Sequence, residues 1–346
     1  MKTLKHEIPD SIIMNVCELW FKENLGPTEI KEKLYKEQGY HMLRETVYAI
    51  LKNARDRGFI RMSPPIHAEL SWKLSERYAG SIKVVSTGEF GVNHLLAAKA
   101  AELVIERIKQ HGSNGYDSKV RLGLGAGPTT RNIAFELATL HHADPSLPDI
   151  VIHALTSGFR SDSAHLSPIS WFSWFTKEAS SRVSFVGLFA PPMVPSDKLY
   201  ETIKKLPGIA EAFEVAKDIN IVVTSIGDAT KSGYGWLPFV EEDKKAMLLE
   251  SGWCGDVLYC PYSEKGPIPA KALSLQAVTL FTIPDLVAMA RNSQKHSIIL
   301  VCGPTHGKEG KLKTKALKPL LENSNLRVWT HLITDMGTAQ ELIKTW

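Results

Sequence analysis

The residues best suited to chemistry lie in one glycine-rich segment, RLGLGAGPTTRNIAFELA, at residues 121–138. Its glycines alternate with other residues as far as Gly127, and Thr129 and Thr130 follow before apolar residues recur at helical spacing. The first amides of a helix have no intrahelical acceptor, so a glycine turn that ends at a helix N-terminus can hold an anion. The alternative is a tight strand-to-helix turn with Thr129 or Thr130 as the N-cap. The segment is not a Walker loop, because no Gly-Lys-Ser/Thr follows and the glycines do not read G-x-G-x-x-G.

Small or polar residues also follow several other strand-like runs. In a parallel sheet the carboxyl ends of the strands meet at one edge, and ligands bind there. We therefore expect these residues to converge on one rim. They are Gly125 to Thr130, Thr156 to Gly158, Gly227 with Asp228, and Gly303 with Pro304.

The elements that must position these residues alternate between β-type and helical patterns. Apolar runs such as KVRLGLG, DIVIHALTSG, SRVSFVGLFAP, INIVVTSIG, SIILVCG and LRVWTHLIT are separated by helical spacing, for example at 132–140 and 312–321. Strands that alternate with helices predict a mostly parallel sheet covered on both faces. The fold class is therefore α/β from residue 84 onward.

The first sixty residues predict three short helices. Asp10 or Ser11 can cap the first, Gly26-Pro27 ends it, and Thr28 can cap the second. A third helix from about Leu43 has an apolar face, and a helix in this position enters the major groove in helix-turn-helix proteins. Any three-helix bundle also has a solvated charged face, so the alternative is a purely structural one. The candidate DNA-binding residues are Thr28, Arg44, Glu45, Thr46, Tyr48, Lys52 and Arg55.

Composition bounds the remaining possibilities. The chain has 346 residues, which favours two domains, and its net charge of +4 permits a nucleic-acid partner without requiring one. The four cysteines form no C-x-x-C pair, and nothing in the sequence indicates a metal or a cofactor. We expect no membrane span and a cytoplasmic location. We predict a DNA-binding domain at 1–62, a linker at 63–83 and an effector-binding domain at 84–346.

The segments LWFKENLGPTEIKEKL and LRETVYAILKNARDRGFIRM resemble the helix-turn-helix of SorC-type sugar-binding transcriptional regulators. The similarity continues in LGAGPTTRNIA, SIGDAT and SGWCGDVLYCPYSEKG, and it is clearest in LITDMGTAQELI. The ordered set covers nearly the whole chain. The resemblance implies an effector domain related to sugar-phosphate isomerases and CoA-transferases. It also implies a phosphorylated sugar that alters affinity for double-stranded operator DNA, usually in a homodimer or homotetramer.

The resemblance also implies which residues bind the effector. The expected phosphate-binding residues are Gly125, Gly127, Thr129, Thr130, Arg160, Lys308 and Lys313, and the expected sugar-binding residues are Ser157, Gly158, Gly227, Asp228 and Asp256. Lys308, Lys311 and Lys313 compete for one phosphate-facing position, because the segment CGPTHGKEGKLKTKAL is longer than the family's. Arg160 can instead be a solvated loop residue, Asp256 a loop cap, and Asp335 the cap of the last helix.

Two other functions compete with the regulator. The second domain could isomerise or deaminate a phosphosugar with Asp228 and Asp256 as acid and base, but such an enzyme would not explain the N-terminal helices. A regulator could also sense a non-phosphorylated polyol or a partner protein. The aromatic run at 171–175 indicates core or interface packing more than a ligand lid. We expect a regulator that is not an enzyme.

Overall fold

The computed structural model describes residues 8–60, 63–88, 92–112, 119–157, 161–176, 182–229, 242–269, 275–306 and 310–346. The chain divides into two compact units, Met1–Ser63 and Pro64–Trp346. Residues 64–83 therefore fold with the second unit. Within the described ranges, no helix is long and apolar enough to cross a membrane.

The first unit is a bundle of three helices, α1 (Asp10–Phe21), α2 (Pro27–Gln38) and α3 (Arg44–Asp56). Apolar residues at helical spacing on all three meet in one core, which includes Val16, Ile30 and Ile50. The predicted three-helix organisation is therefore present.

The expected caps of this unit are wrong. Asp10 is the first residue of α1, and its carboxylate pairs with Arg57 at 2.6 Å. Helix α2 begins at Pro27, whose fixed φ suits the first helical position, so Gly26 is the N-cap and Thr28 lies inside the first turn. Glu29 accepts the Gly26 amide at 2.7 Å and completes this start without a hydroxyl.

The second unit is built on a parallel sheet. The strands of this unit are β1 (Ser81–Val85), β2 (Val120–Leu124), β3 (Ile150–Ala154), β4 (Val183–Val186), β5 (Met193–Val194), β6 (Ile221–Asp228), β7 (Trp253–Val257), β8 (Cys260–Ser263), β9 (Gly266–Pro267), β10 (Gln276–Ala277), β11 (Ser297–Cys302) and β12 (His331–Asp335). The order in the sheet is β1-β12-β11-β6-β2-β3-β4, and every neighbouring pair in this row is parallel. An antiparallel extension, β7 to β9, continues from the carboxyl end of β6, and β5 pairs with β10.

Helices cover both faces of the sheet, each over its own apolar core. The helices are α4 (Ala68–Tyr78), α5 (Val92–Gly112), α6 (Pro128–Ala143), α7 (Phe172–Phe175), α8 (Asp197–Ile203), α9 (Ala210–Val215), α10 (Glu242–Glu250), α11 (Ile283–Arg291), α12 (Thr314–Glu322) and α13 (Met336–Lys344). One core lies under α4, α11, α12 and α13, and the other under α5, α6 and the aromatic segment at 171–175. Short 3-10 turns occur at Ser161–Leu166, Pro168–Trp171, Ala216–Asp218 and Ser324–Leu326.

This architecture confirms the predicted fold class, an all-α unit followed by a mostly parallel α/β unit. Each strand-like run named above contains a strand. These runs are apolar on both sides because helices cover both faces of a parallel sheet. The aromatic run packs as expected for a structural role. Trp171 and Phe175 are fully buried, and Phe172 stacks on Phe185 with ring centroids 4.6 Å apart.

Candidate functional site

The glycine-rich segment forms the turn between β2 and α6, and we call residues 125–130 the anion cradle after the role that the sequence predicts for them. Gly127 is the N-cap of α6, with φ 110° and ψ 167°, a conformation that is nearly restricted to glycine. Its amide donates to the carbonyl of Leu166 at 3.0 Å. Apart from Gly127 and its two chain neighbours, no described residue has an atom within 4 Å of the position that a Cβ of Gly127 would take. The described residues therefore leave space beside Gly127.

The helix start leaves two amides for a ligand. Pro128 occupies the first helical position and has no N–H, so Thr129 and Thr130 supply the amides that helix geometry leaves without an acceptor. The interpretation of either threonine as N-cap is wrong, because the positive φ of Gly127 and the fixed φ of Pro128 begin the helix earlier. Gly125 lies close to β6, and its amide donates to the carbonyl of Val223 at 2.9 Å.

Both threonine side chains of the cradle are buried, Thr129 at 3% and Thr130 at 0% exposure. The Thr129 hydroxyl lies 3.0 Å from Nε2 of His306. The Thr130 hydroxyl has no hydrogen-bond partner among the residues that the structure describes. A buried hydroxyl without a partner costs free energy, so this position favours a ligand that satisfies it.

His306 lies in the loop that follows β11, and the sequence did not indicate it as a site residue. Two bonds close this loop: the Thr305 amide donates to the carbonyl of Lys311 at 2.8 Å, and the Lys311 amide donates to the Thr305 hydroxyl at 2.9 Å. Burial, together with the positive charges of Lys313 and His94, lowers the pKa of His306 to about 4. The imidazole is therefore neutral at pH 7.

Lys313 is the described lysine that reaches the carboxyl edge of the sheet. Its Nζ donates to the carbonyl of Ile226 in β6 at 2.9 Å, whereas Lys311 is exposed. Lys308 lies outside the described residues. A cation at the end of β6 adds positive potential to the rim on which the cradle lies.

Two carboxylates lie at the start of the antiparallel extension. Asp228 ends β6 and Asp256 lies in β7, where it pairs with Gly227, and both side chains are more than 90% buried. A Cβ at Gly227 would collide with the Asp256 carboxylate, so glycine at this position lets the carboxylate lie over β6. Burial and the charge of Asp256 raise the pKa of Tyr259.

The segment after β3 contributes two small polar residues. Thr156 is fully buried and forms a bridge with Thr279. The Ser157 hydroxyl is buried, at 3% exposure of the residue, and has no partner among the described residues. Gly158 and Arg160, which are expected from the sequence to bind the effector, lie outside the described residues.

Asp335, a further acidic residue considered in the sequence, has a structural role at the start of the last helix. Asp335 is the N-cap of α13, and its carboxylate accepts the Thr338 amide at 2.9 Å and the Thr338 hydroxyl at 2.6 Å. The structural interpretation of Asp335 as a cap is therefore confirmed. No cluster of three His, Cys, Asp or Glu side chains able to hold a metal occurs in the described ranges.

The first unit presents a separate candidate surface on α3. Val47, Ile50 and Ala54 are fully buried, and the other side of the helix faces solvent. Tyr48 is 51% exposed and packs edge-on against Trp20 with ring centroids 5.9 Å apart. The predicted DNA-binding residues on the solvent-facing side are Arg44, Glu45, Tyr48, Lys52 and Arg55. Of the other two, Thr28 on α2 is exposed and Thr46 is half-buried.

Comparison with models of known protein families finds a match within the second unit. A family model described as "Putative sugar-binding domain" matches residues 66–301, which is more than half of the chain. The chain belongs to this sugar-binding domain family. A search of functionally curated proteins found no match.

Solved structures similar to this chain include transcriptional regulators. The full-length sorbitol operon regulator SorC from Klebsiella pneumoniae aligns over 98% of this chain and 100% of its own, with TM-score 0.64 and 14% identity. A DeoR family transcriptional regulator from Listeria monocytogenes aligns over 80% of this chain and 98% of its own, with TM-score 0.60 and 18% identity. A transcriptional regulator from Streptococcus pneumoniae aligns over 80% and 97%, with TM-score 0.59 and 15% identity. At these identities the likeness establishes the fold, and it agrees with the SorC-type resemblance of the sequence.

Proposed function

We propose that this member of the sugar-binding domain family is a transcriptional regulator whose affinity for operator DNA is controlled by a phosphorylated sugar. The observation that carries the proposal is the anion cradle, which combines an open N-cap at Gly127 with the buried hydroxyls of Thr129 and Thr130. A phosphate accepts hydrogen bonds from such amides and hydroxyls and is favoured by the helix dipole.

The rest of the rim suits a sugar. Buried carboxylates orient polyol hydroxyls by accepting hydrogen bonds from them, and Asp228 and Asp256 are suited to this role, with Gly227 giving close approach to the backbone. Lys313 adds charge complementary to a phosphate, as the resemblance implies for Arg160 and Lys308. Gly125, Ser157 and Gly158 complete the proposed effector set.

In this proposal α3 reads the major groove. Arg44, Lys52 and Arg55 suit contacts with phosphates, and Tyr48 suits a base edge or sugar. A single bundle of this size covers one half-site, so the proposal includes a homodimer or homotetramer that occupies two half-sites. The full-length sorbitol operon regulator, which aligns over 98% of this chain, supports this role for the first unit. Acting on DNA also implies a cytoplasmic protein.

The first test is a thermal-shift screen of the full chain with phosphorylated sugars and their unphosphorylated counterparts. A ligand at about one hundred times its Kd stabilises the folded state by roughly 2.7 kcal/mol, so a rise in Tm is expected for phosphorylated members alone. Thr129→Val should reduce this rise, because it removes a cradle hydroxyl at nearly constant volume. Thr139→Val is the matched control, since the Thr139 hydroxyl donates to the Phe135 carbonyl within the same helix, outside the cradle.

The enzyme remains the second candidate function, because Asp228 and Asp256 lie one register position apart on the paired strands β6 and β7. Incubation of the protein with each stabilising sugar phosphate separates the two. The regulator predicts an unchanged sugar and a changed DNA affinity, whereas conversion of the sugar would favour the enzyme.

A further inference from the structure

His306 contacts the anion cradle from a loop that the proposed sensor does not yet explain. The contact between His306 Nε2 and the Thr129 hydroxyl, at 3.0 Å, joins residues separated by 177 positions. The bonds between Thr305 and Lys311 fix the two ends of this loop. The loop belongs to the stretch that is longer here than in the SorC-type pattern.

The cradle contains polar groups besides the Thr129 hydroxyl that His306 contacts. The Thr130 hydroxyl is fully buried and has no partner among the described residues, and the space beside Gly127 is open within those ranges. The histidine therefore hydrogen-bonds to the Thr129 hydroxyl, and the other polar groups in the first turn of α6 remain available to a ligand. This arrangement suits a group that exchanges partners when an anion arrives.

We propose that His306 is an additional ligand of the effector's phosphoryl group, and that it exchanges its bond with Thr129 for one to a phosphoryl oxygen while taking up one proton from solvent. The inference rests on the proposed function, because it needs an anion in the cradle. No covalent bond forms or breaks. The Thr129 hydroxyl is released to donate to the same phosphoryl group.

The charges around His306 explain why the proton arrives only with the anion. Among the described residues, the titratable groups whose charge acts on His306 are Lys313, from the segment before α12, and His94, from the first turn of α5; α6 presents the uncharged Thr129. Lys308 and Glu309 follow in the sequence and lie outside the described residues. Burial and Lys313 disfavour the imidazolium, and they lower the pKa of His306 to about 4. A bound dianion opposes both effects and raises that pKa.

The experiment measures sulfate affinity of the full chain by calorimetry between pH 5.5 and pH 8. Sulfate is a phosphoryl analogue that does not itself titrate in this range, so the pH dependence reports on the protein. We expect affinity to increase as pH falls, by up to about tenfold per pH unit, because one proton is taken up on binding. His306→Gln should bind with little dependence on pH. His94→Gln should keep the steep dependence.

Two further readouts keep the inference falsifiable. Calorimetry of the unmodified protein at pH 6.5, in two buffers with different ionisation enthalpies, should report net proton uptake without any variant. Sulfate binding with no proton uptake, or with the same pH dependence in His306→Gln, would overturn the role of His306 and leave the sensor intact. Failure of both sulfate and sugar phosphates to bind at any pH would instead overturn the cradle, and the inference with it.

Discussion

At the scale of single residues, Gly127 determines whether the cradle can form. Its φ of 110° and ψ of 167° are conformations that alanine avoids at a cost of about 1–3 kcal/mol. The described surroundings leave room for a Cβ, so backbone strain, not collision, is what Gly127→Ala introduces. We expect a lower Tm, measured by calorimetry, and a loss of stabilisation by sugar phosphates.

Gly208→Ala is the matched control for Gly127. Gly208 has φ 81°, it also lacks neighbours within 4 Å among the described residues, and it lies between α8 and α9. This variant should lose stability but keep its response to sugar phosphates. Equal loss of the response in both variants would show that the cradle has no special part in binding.

The sequence indicated part of this site and missed the rest for physical reasons. The glycines and threonines stood out because a strand-to-helix turn has a local signature. The cap was misassigned because a threonine hydroxyl and a glycine with positive φ are both accepted ways to begin a helix. His306 had no local signature at all, since its contact with Thr129 depends on β2 and β11 pairing with the two edges of β6.

At the scale of elements, α3 is the part of the chain that the account assigns to DNA. Arg44 and Lys52 lie two turns apart on its exposed side, so each should neutralise DNA phosphate charge. We expect Arg44→Ala and Lys52→Ala each to weaken DNA binding and to lower the slope of log K against log salt by about one. Fluorescence anisotropy at several salt concentrations measures both quantities.

Lys344→Ala provides the control for this prediction. Lys344 is an exposed lysine near the end of α13, where it pairs with Glu341 at 3.4 Å. Its removal changes the net charge by the same amount as each α3 variant. A salt slope that falls equally in all three variants would indicate a diffuse charge effect and not a reading helix.

The elements themselves were largely predictable, and their arrangement was not. Apolar runs such as 221–226 and 297–302 identify buried strands because both faces of the sheet are covered. The antiparallel extension was not predicted, because β8 and β9 are short and begin at turns, where Leu258 and Tyr259 have positive φ. Strand order depends on which helices cover which face, and local sequence patterns do not encode it.

At the scale of the whole molecule, buried histidines make stability depend on pH. His153 is fully buried in β3, where burial and the nearby Arg121 lower its pKa to about 4, and the pKa of His331 is also lowered to about 4. The pKa of an unfolded histidine is about 6.5, so the unfolded chain binds more protons between these values. The free energy of unfolding therefore falls as pH drops from about 6.5 to about 4.

For His153 alone the loss by pH 5 is on the order of 2 kcal/mol. Urea denaturation at pH 7 and pH 5 measures it. We expect His153→Gln to show a smaller loss between the two pH values than the unmodified chain. His165→Gln, which changes an exposed histidine, should behave like the unmodified chain. An identical loss in all three proteins would assign the pH dependence to other groups.

In the proposed regulator, one chain couples a phosphosugar site to a DNA-reading unit. The most direct measurement is the affinity of the full chain for a DNA fragment selected from genomic fragments by binding, with and without a sugar phosphate at saturating concentration and fixed salt. Coupled sites predict a change of about 5- to 150-fold, which Gly127→Ala abolishes. Equal affinity with and without a sugar phosphate that demonstrably binds would contradict the account.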